Sequence, residues 1–97
     1  MSLTAEQVGL IEGAARENPI IFGLRLIKVG RGKTQPDALA AYYDKAEKYG
    51  QTDIAGIIVY IENLGIRIPE NEMRHEVLKQ IARIVVPILV QSWRTSF

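Results

Sequence analysis

"MRHEVLKQIARIVVPILVQSWRTSF", residues 73–97, decides how this chain folds. Its first half is amphipathic at helical spacing: Val77, Ile81, Ile84 and Ile88 form one apolar stripe, with Glu72, Glu76, Lys79 and Arg83 on the opposite side. After Arg83 the polar face vanishes. Arg94 is the only charged side chain left, and Val86, Val90, Trp93 and Phe97 make a second apolar stripe at spacings of four, three and four, on the side that was charged one turn earlier. Pro87 lacks a backbone donor and is expected to kink this long helix. A helix that is apolar all round must be covered all round. It is either the central helix of a compact monomer, or its end, carrying the large anchors Trp93 and Phe97, is buried against another chain. The second arrangement is the more economical, because a chain of 97 residues surrounds such a helix only partly.

Outward from this stretch, each preceding boundary carries turn or cap chemistry. Pro69 is placed to open the last helix, with Glu70 and Glu72 in a first turn where the dipole favours them, and Ile66-Arg67-Ile68 reads as a short extended connector. A helix over about 52–64 carries Ile54, Ile57, Ile58 and Ile61 and stops at Gly65. A third, over about 35–49, starts at the Thr34 cap and Pro36, places Leu39, Tyr42 or Tyr43, Ala46 and Tyr49 on one face, and ends at Gly50. Asn18-Pro19 caps a mostly buried helix over about 19–29, closed by Gly30. The first helix, 5–17, opens with a capping box in which Thr4 is the cap and Gln7 sits three residues on. Ala5, Gly9 and Gly13 give it a smooth strip for close packing on the last helix or on a second subunit. The fold class is therefore all-α: one domain over 1–97, a compact bundle of about five helices whose last is long and kinked at Pro87.

Composition limits the functional classes. The chain is 47% hydrophobic and 24% charged, which suits a folded globule, and a net charge of +1 does not by itself announce nucleic acid, a membrane or an acidic partner. There is no cysteine, hence no disulfide and no thiolate metal site, and a cytoplasmic location is the default. The opening residues have no basic leader followed by an apolar run, and the longest apolar run, Ile84 to Val90, is far short of the roughly 20 residues of a membrane span.

"VGRGKT", residues 29–34, resembles the end of a phosphate-binding loop. A Walker loop needs a glycine five residues before Gly32, where this chain has Ile27, and it needs a parallel sheet for which there is no room. Thr34 and Gly30 are explained as helix caps. What survives is charge: Arg25, Lys28, Arg31 and Lys33 are four cations with no acid between Glu17 and Asp37, a possible contact for phosphates or for an acidic protein face. A helix-turn-helix unit drawn from Thr52 to Lys79, with Arg67, Arg74, His75 and Lys79 near its second helix, has too long a connector and puts Glu70, Glu72 and Glu76 towards the phosphates. Glu72 and His75 have the Glu-x-x-His spacing of di-iron bundles, but a centre needs further carboxylates on facing helices, which a symmetric dimer could supply through Glu47 or Glu62, and Glu72 is explained as a first-turn acid.

No catalytic constellation stands out, and neither a cofactor nor a metal is implied. The expectation is a non-enzymatic, self-associating helical protein that works by binding another macromolecule, as an adaptor, assembly factor, inhibitor or regulator of bacterial or phage origin. Val86, Val90, Trp93 and Phe97 would carry the self-association, with Tyr43 as a lesser contact. The alternative is a nucleic-acid-binding regulator that uses the basic loop at residues 25–33.

Overall fold

A computed structural model describes residues 3–29, 35–49 and 56–95. Five helices follow in order: α1 (Ala5–Glu17), α2 (Leu24–Val29), α3 (Pro36–Tyr49), α4 (Ile57–Asn63) and α5 (Arg74–Thr95). No strand is present among the described residues, and the all-α bundle read from the sequence is the fold.

α1 begins where its cap chemistry places it. The Gln7 backbone N–H donates to Thr4 Oγ1 at 3.1 Å, and the Thr4 N–H donates to Gln7 Oε1 at 2.9 Å, so two donors that open helices leave orphaned are both satisfied. The helix ends at Glu17 because Asn18 precedes proline and leaves the helical region, at φ −133°.

The second helix is shorter than the sequence suggested. Pro19 to Phe22 form a single turn that closes at Gly23, whose φ of +105° is open to glycine and strained for other residues. The Leu24 N–H donates to the Pro19 carbonyl and the Gly23 N–H to the Ile20 carbonyl, both at 3.0 Å, which is the paired bonding of a Schellman motif. This turn stops the helix that Asn18-Pro19 starts, and α2 is a fresh start at Leu24. The expected closing cap at Gly30 lies outside the described residues, as do Thr34 and Gly50.

Two other boundaries move for comparable reasons. α4 begins only at Ile57, after Gly56 in a left-handed conformation at φ +86°, and ends with Gly65 at φ +90°, as its sequence position implied. α5 does not begin at Pro69. The Asn71 side chain accepts the Met73 N–H at 2.8 Å, forming a local turn that competes with helix, and the helix starts at Arg74. Glu70 and Glu72 consequently sit in the turns before the helix, and Glu76 is the acid of its first turn. Between Gly65 and Pro69 the chain is extended, with Ile66 and Ile68 buried on either side of an exposed Arg67.

α5 is the hub of the bundle, packing on α3, α1 and α2, while α4 reaches the bundle through α3. It runs unbroken through Pro87 to Thr95. Its buried seam is Val77, Leu78, Ile81, Ala82, Val85 and Leu89, and each large member contributes about 1.5–3 kcal/mol of apolar burial. Of the first stripe read from the sequence, Val77 and Ile81 lie in this seam, while Ile84 and Ile88 form a shoulder on one side of it; Val86, Val90 and Trp93 of the second form the other shoulder, all half-buried against the core. Two half-covered stripes thus flank one fully covered line, and much of the apolar circumference is accounted for within the chain.

Candidate functional site

The outer arc of α5 is the surface left over by this packing. Seven residues turn an α-helix by about two turns, and eighteen by about five, so Glu76, Arg83, Pro87 and Arg94 project in nearly the same direction. All four are exposed. Pro87 supplies no N–H, so the Arg83 carbonyl lacks its helical donor on the same arc. Beside the line, between α1 and α5, runs an open trough of about 510 Å³ lined by Glu12 and Arg16 from α1 and by Arg83, Ile84, Pro87 and Ile88 from α5, with Gln91, Ser92 and Thr95 closing its end. On the other flank stand Val86, Val90 and Trp93.

The N-terminal half of α5 is tied to α3 by charge. Arg74 Nε donates to Asp44 Oδ1 at 2.7 Å with both side chains largely covered. Asp37 Oδ1 lies 3.3 Å from Lys79 Nζ and 3.4 Å from His75 Nε2. The Lys79 ammonium, donating to the Asp37 carboxylate, holds it below the usual carboxylate range; desolvation opposes this, and His75 adds to the lowering. These contacts dispose of the helix-turn-helix reading in physical terms. Arg74, His75 and Lys79 are directed at α3 carboxylates, and the stretch from Leu64 to Met73 separates α4 from α5. They also give His75 a carboxylate neighbour on α3, and no group of three or more histidine or acidic side chains suited to a metal occurs among the described residues.

Tyr43 requires a correction. It is fully buried, and its hydroxyl donates to the Phe22 carbonyl at 2.6 Å. Burial pushes its phenol well above the ordinary range. That carbonyl belongs to the last residue before Gly23, where the turn leaves an acceptor unmatched, so Tyr43 locks α3 to the Pro19–Gly23 turn and offers nothing to a partner. Of the adjacent tyrosines, Tyr42 is the half-exposed one. Phe22 also meets Tyr60 edge to face, with ring centroids 5.8 Å apart, and the Tyr60 hydroxyl accepts from Asn18 Nδ2 at 2.7 Å.

The smooth strip of α1 is not used within the chain. Ala5, Gly9 and Gly13 are exposed, and a Cβ added at either glycine meets nothing within 4 Å. The close packing on the last helix does not use these positions; α1 turns Ile11, Ala14 and Ala15 inward instead. Of the basic group, Arg25 is exposed on α2 and engaged in an interaction, Lys28 belongs to α2, and Arg31 and Lys33 lie outside the described residues, as does Phe97. The sequence reading placed Glu76 and Arg83 on one polar face but did not carry that line on to Pro87 and Arg94; the signal was their common heading after whole turns. No helix of the described residues is long and apolar enough to cross a membrane. No family model, curated protein or solved structure matches the chain.

Proposed function

We propose that this protein is a non-catalytic helical interaction module that self-associates through the C-terminal half of α5 and acts by binding another macromolecule. The observation that supports the reading is the state of Val86, Val90 and Trp93. They form a continuous shoulder that the chain's own core covers only in part, next to an exposed line that carries no apolar side chain but Pro87. A second surface laid on this shoulder would remove its remaining apolar area from water. Phe97, at the next position of the stripe, would extend the contact.

Sedimentation velocity over a range of protein concentrations tests this directly. A concentration-dependent oligomer is the expected result; a monomer throughout the range overturns the reading. The same experiment with a labelled random-sequence duplex at two salt concentrations addresses the nucleic-acid alternative, which draws on exposed Arg25 together with Lys28, Arg31 and Lys33. Duplex binding that weakens severalfold as salt rises would favour that alternative. A duplex that sediments alone at both salts removes it.

A further inference from the structure

We infer that the outer line of α5 binds the same line of a second copy, antiparallel across a two-fold axis at the level of Val85. The inference rests on the self-association reading and gives it a geometry. Its basis is the order of charge along the exposed line: Glu76 near the start of α5, Arg83 in the middle and Arg94 in its last turn. Among the described residues, none of these three charges has a counter-ion, in contrast to Arg74 and Lys79, which meet Asp44 and Asp37 on α3. One helix face thus carries an unmatched acid at one end and an unmatched base at the other.

Two identical faces of this kind fit together only head to tail. Glu76 and Arg94 are about 27 Å apart along the helix and share a heading after about five turns. An antiparallel pair centred midway between them sets Glu76 of each copy against Arg94 of the other, forming two equivalent ion pairs, and it opposes the two helix dipoles favourably. A parallel pair would set like charges together at both ends. The same axis places Arg83 of each copy beside Pro87 of the other, where the undonated Arg83 carbonyls are also found. It also brings the two Arg83 guanidinium groups near one another, a repulsion that the two Glu76–Arg94 pairs have to outweigh. Val90, about 40° from the line, then lies at the edge of the contact, continuous with the shoulder of Val86 and Trp93.

Charge reversal tests the geometry separately from association itself. Glu76→Arg and Arg94→Glu are both at exposed positions, and helical content is checked by circular dichroism. In an antiparallel pair each single change puts like charges together at two symmetric sites. The dissociation constant from sedimentation equilibrium at low salt is expected to rise about tenfold for each. The double variant Glu76→Arg/Arg94→Glu restores opposite charges at both sites and should return to within about twofold of the parent, and raising the salt should shrink all these differences. Singles that associate like the parent, or a double no tighter than the singles, overturn the antiparallel arrangement while self-association stands. A parent chain that is monomeric at every concentration overturns both.

Discussion

Tyr43 shows how one hydroxyl fixes a joint between elements. Its oxygen lies 2.6 Å from the Phe22 carbonyl in a place with no access to water. Tyr43→Phe keeps the ring and strands that carbonyl, so unfolding free energy from urea titration should fall by about 1–3 kcal/mol. The pH dependence follows from the upward displacement of the phenol by burial. The folded state keeps the proton while an unfolded tyrosine loses it above about pH 10. The Tyr43 contribution to stability is therefore complete below that pH and is lost as pH rises further. Phenolate absorbance from Tyr43 should emerge together with loss of the helical dichroism signal, and an alkaline transition that is identical in Tyr43→Phe would refute this assignment. The sequence put a tyrosine pair at this place but not its orientation. Adjacent residues on a helix point about 100° apart, and the choice between them is made by the Pro19–Gly23 turn, which supplies the acceptor.

At the scale of the element, boundaries were legible where two local signals agreed and misread where a third competed. Thr4 and Gln7 both act on α1, and both bonds form. Pro19 and Pro69 are good first-turn residues, yet Gly23 in one case and Asn71 in the other supply a turn that ends or delays the helix. Gly9 and Gly13 illustrate the converse: they sit in the interior of α1 with open space where a side chain would be. Gly9→Ala and Gly13→Ala should each stabilise the fold by about 1 kcal/mol, through helix propensity alone, in chemical denaturation. Destabilisation by either change would mean that a contact depends on the bare backbone. Pro87 makes a sharper case, since it is exposed and interrupts the bonding of the longest helix. Pro87→Ala returns a donor to the Arg83 carbonyl and is expected to stabilise by up to about 3 kcal/mol, read as a raised midpoint in urea. An unchanged or lowered midpoint would show that the proline has a compensating contact.

For the whole molecule, the question is how one long helix shares its circumference between the core and a partner. Both apolar stripes were legible as periodicities, but the seam was not singled out: only Val77 and Ile81 belong to a stripe, and Leu78, Ala82, Val85 and Leu89 fall between the two patterns until α1 and α3 are placed on either side. Trp93→Glu sets the shared shoulder against charge. Sedimentation velocity is expected to show monomer where the parent is oligomeric, with helical dichroism retained because the buried seam ends at Leu89. An oligomer unchanged in size with native helicity would remove Trp93 from the interface.

The hub position of α5 also bears on how the chain is made. The ribosome delivers α1 to α4 first, and the surfaces on which α1, α2 and α3 close belong to the helix that follows them. Even the Leu3 N–H, at the start of the described chain, finds its acceptor in Gln80 at 3.3 Å. Until α5 clears the exit tunnel, Ile11, Leu39 and their neighbours have no lasting cover, and the nascent chain presents them to whatever binds apolar segments at the tunnel mouth. Closure of the domain is consequently a late event governed by contacts distant in sequence, and a translational pause before Arg74 would lengthen that exposed interval more than a pause at any earlier helix boundary.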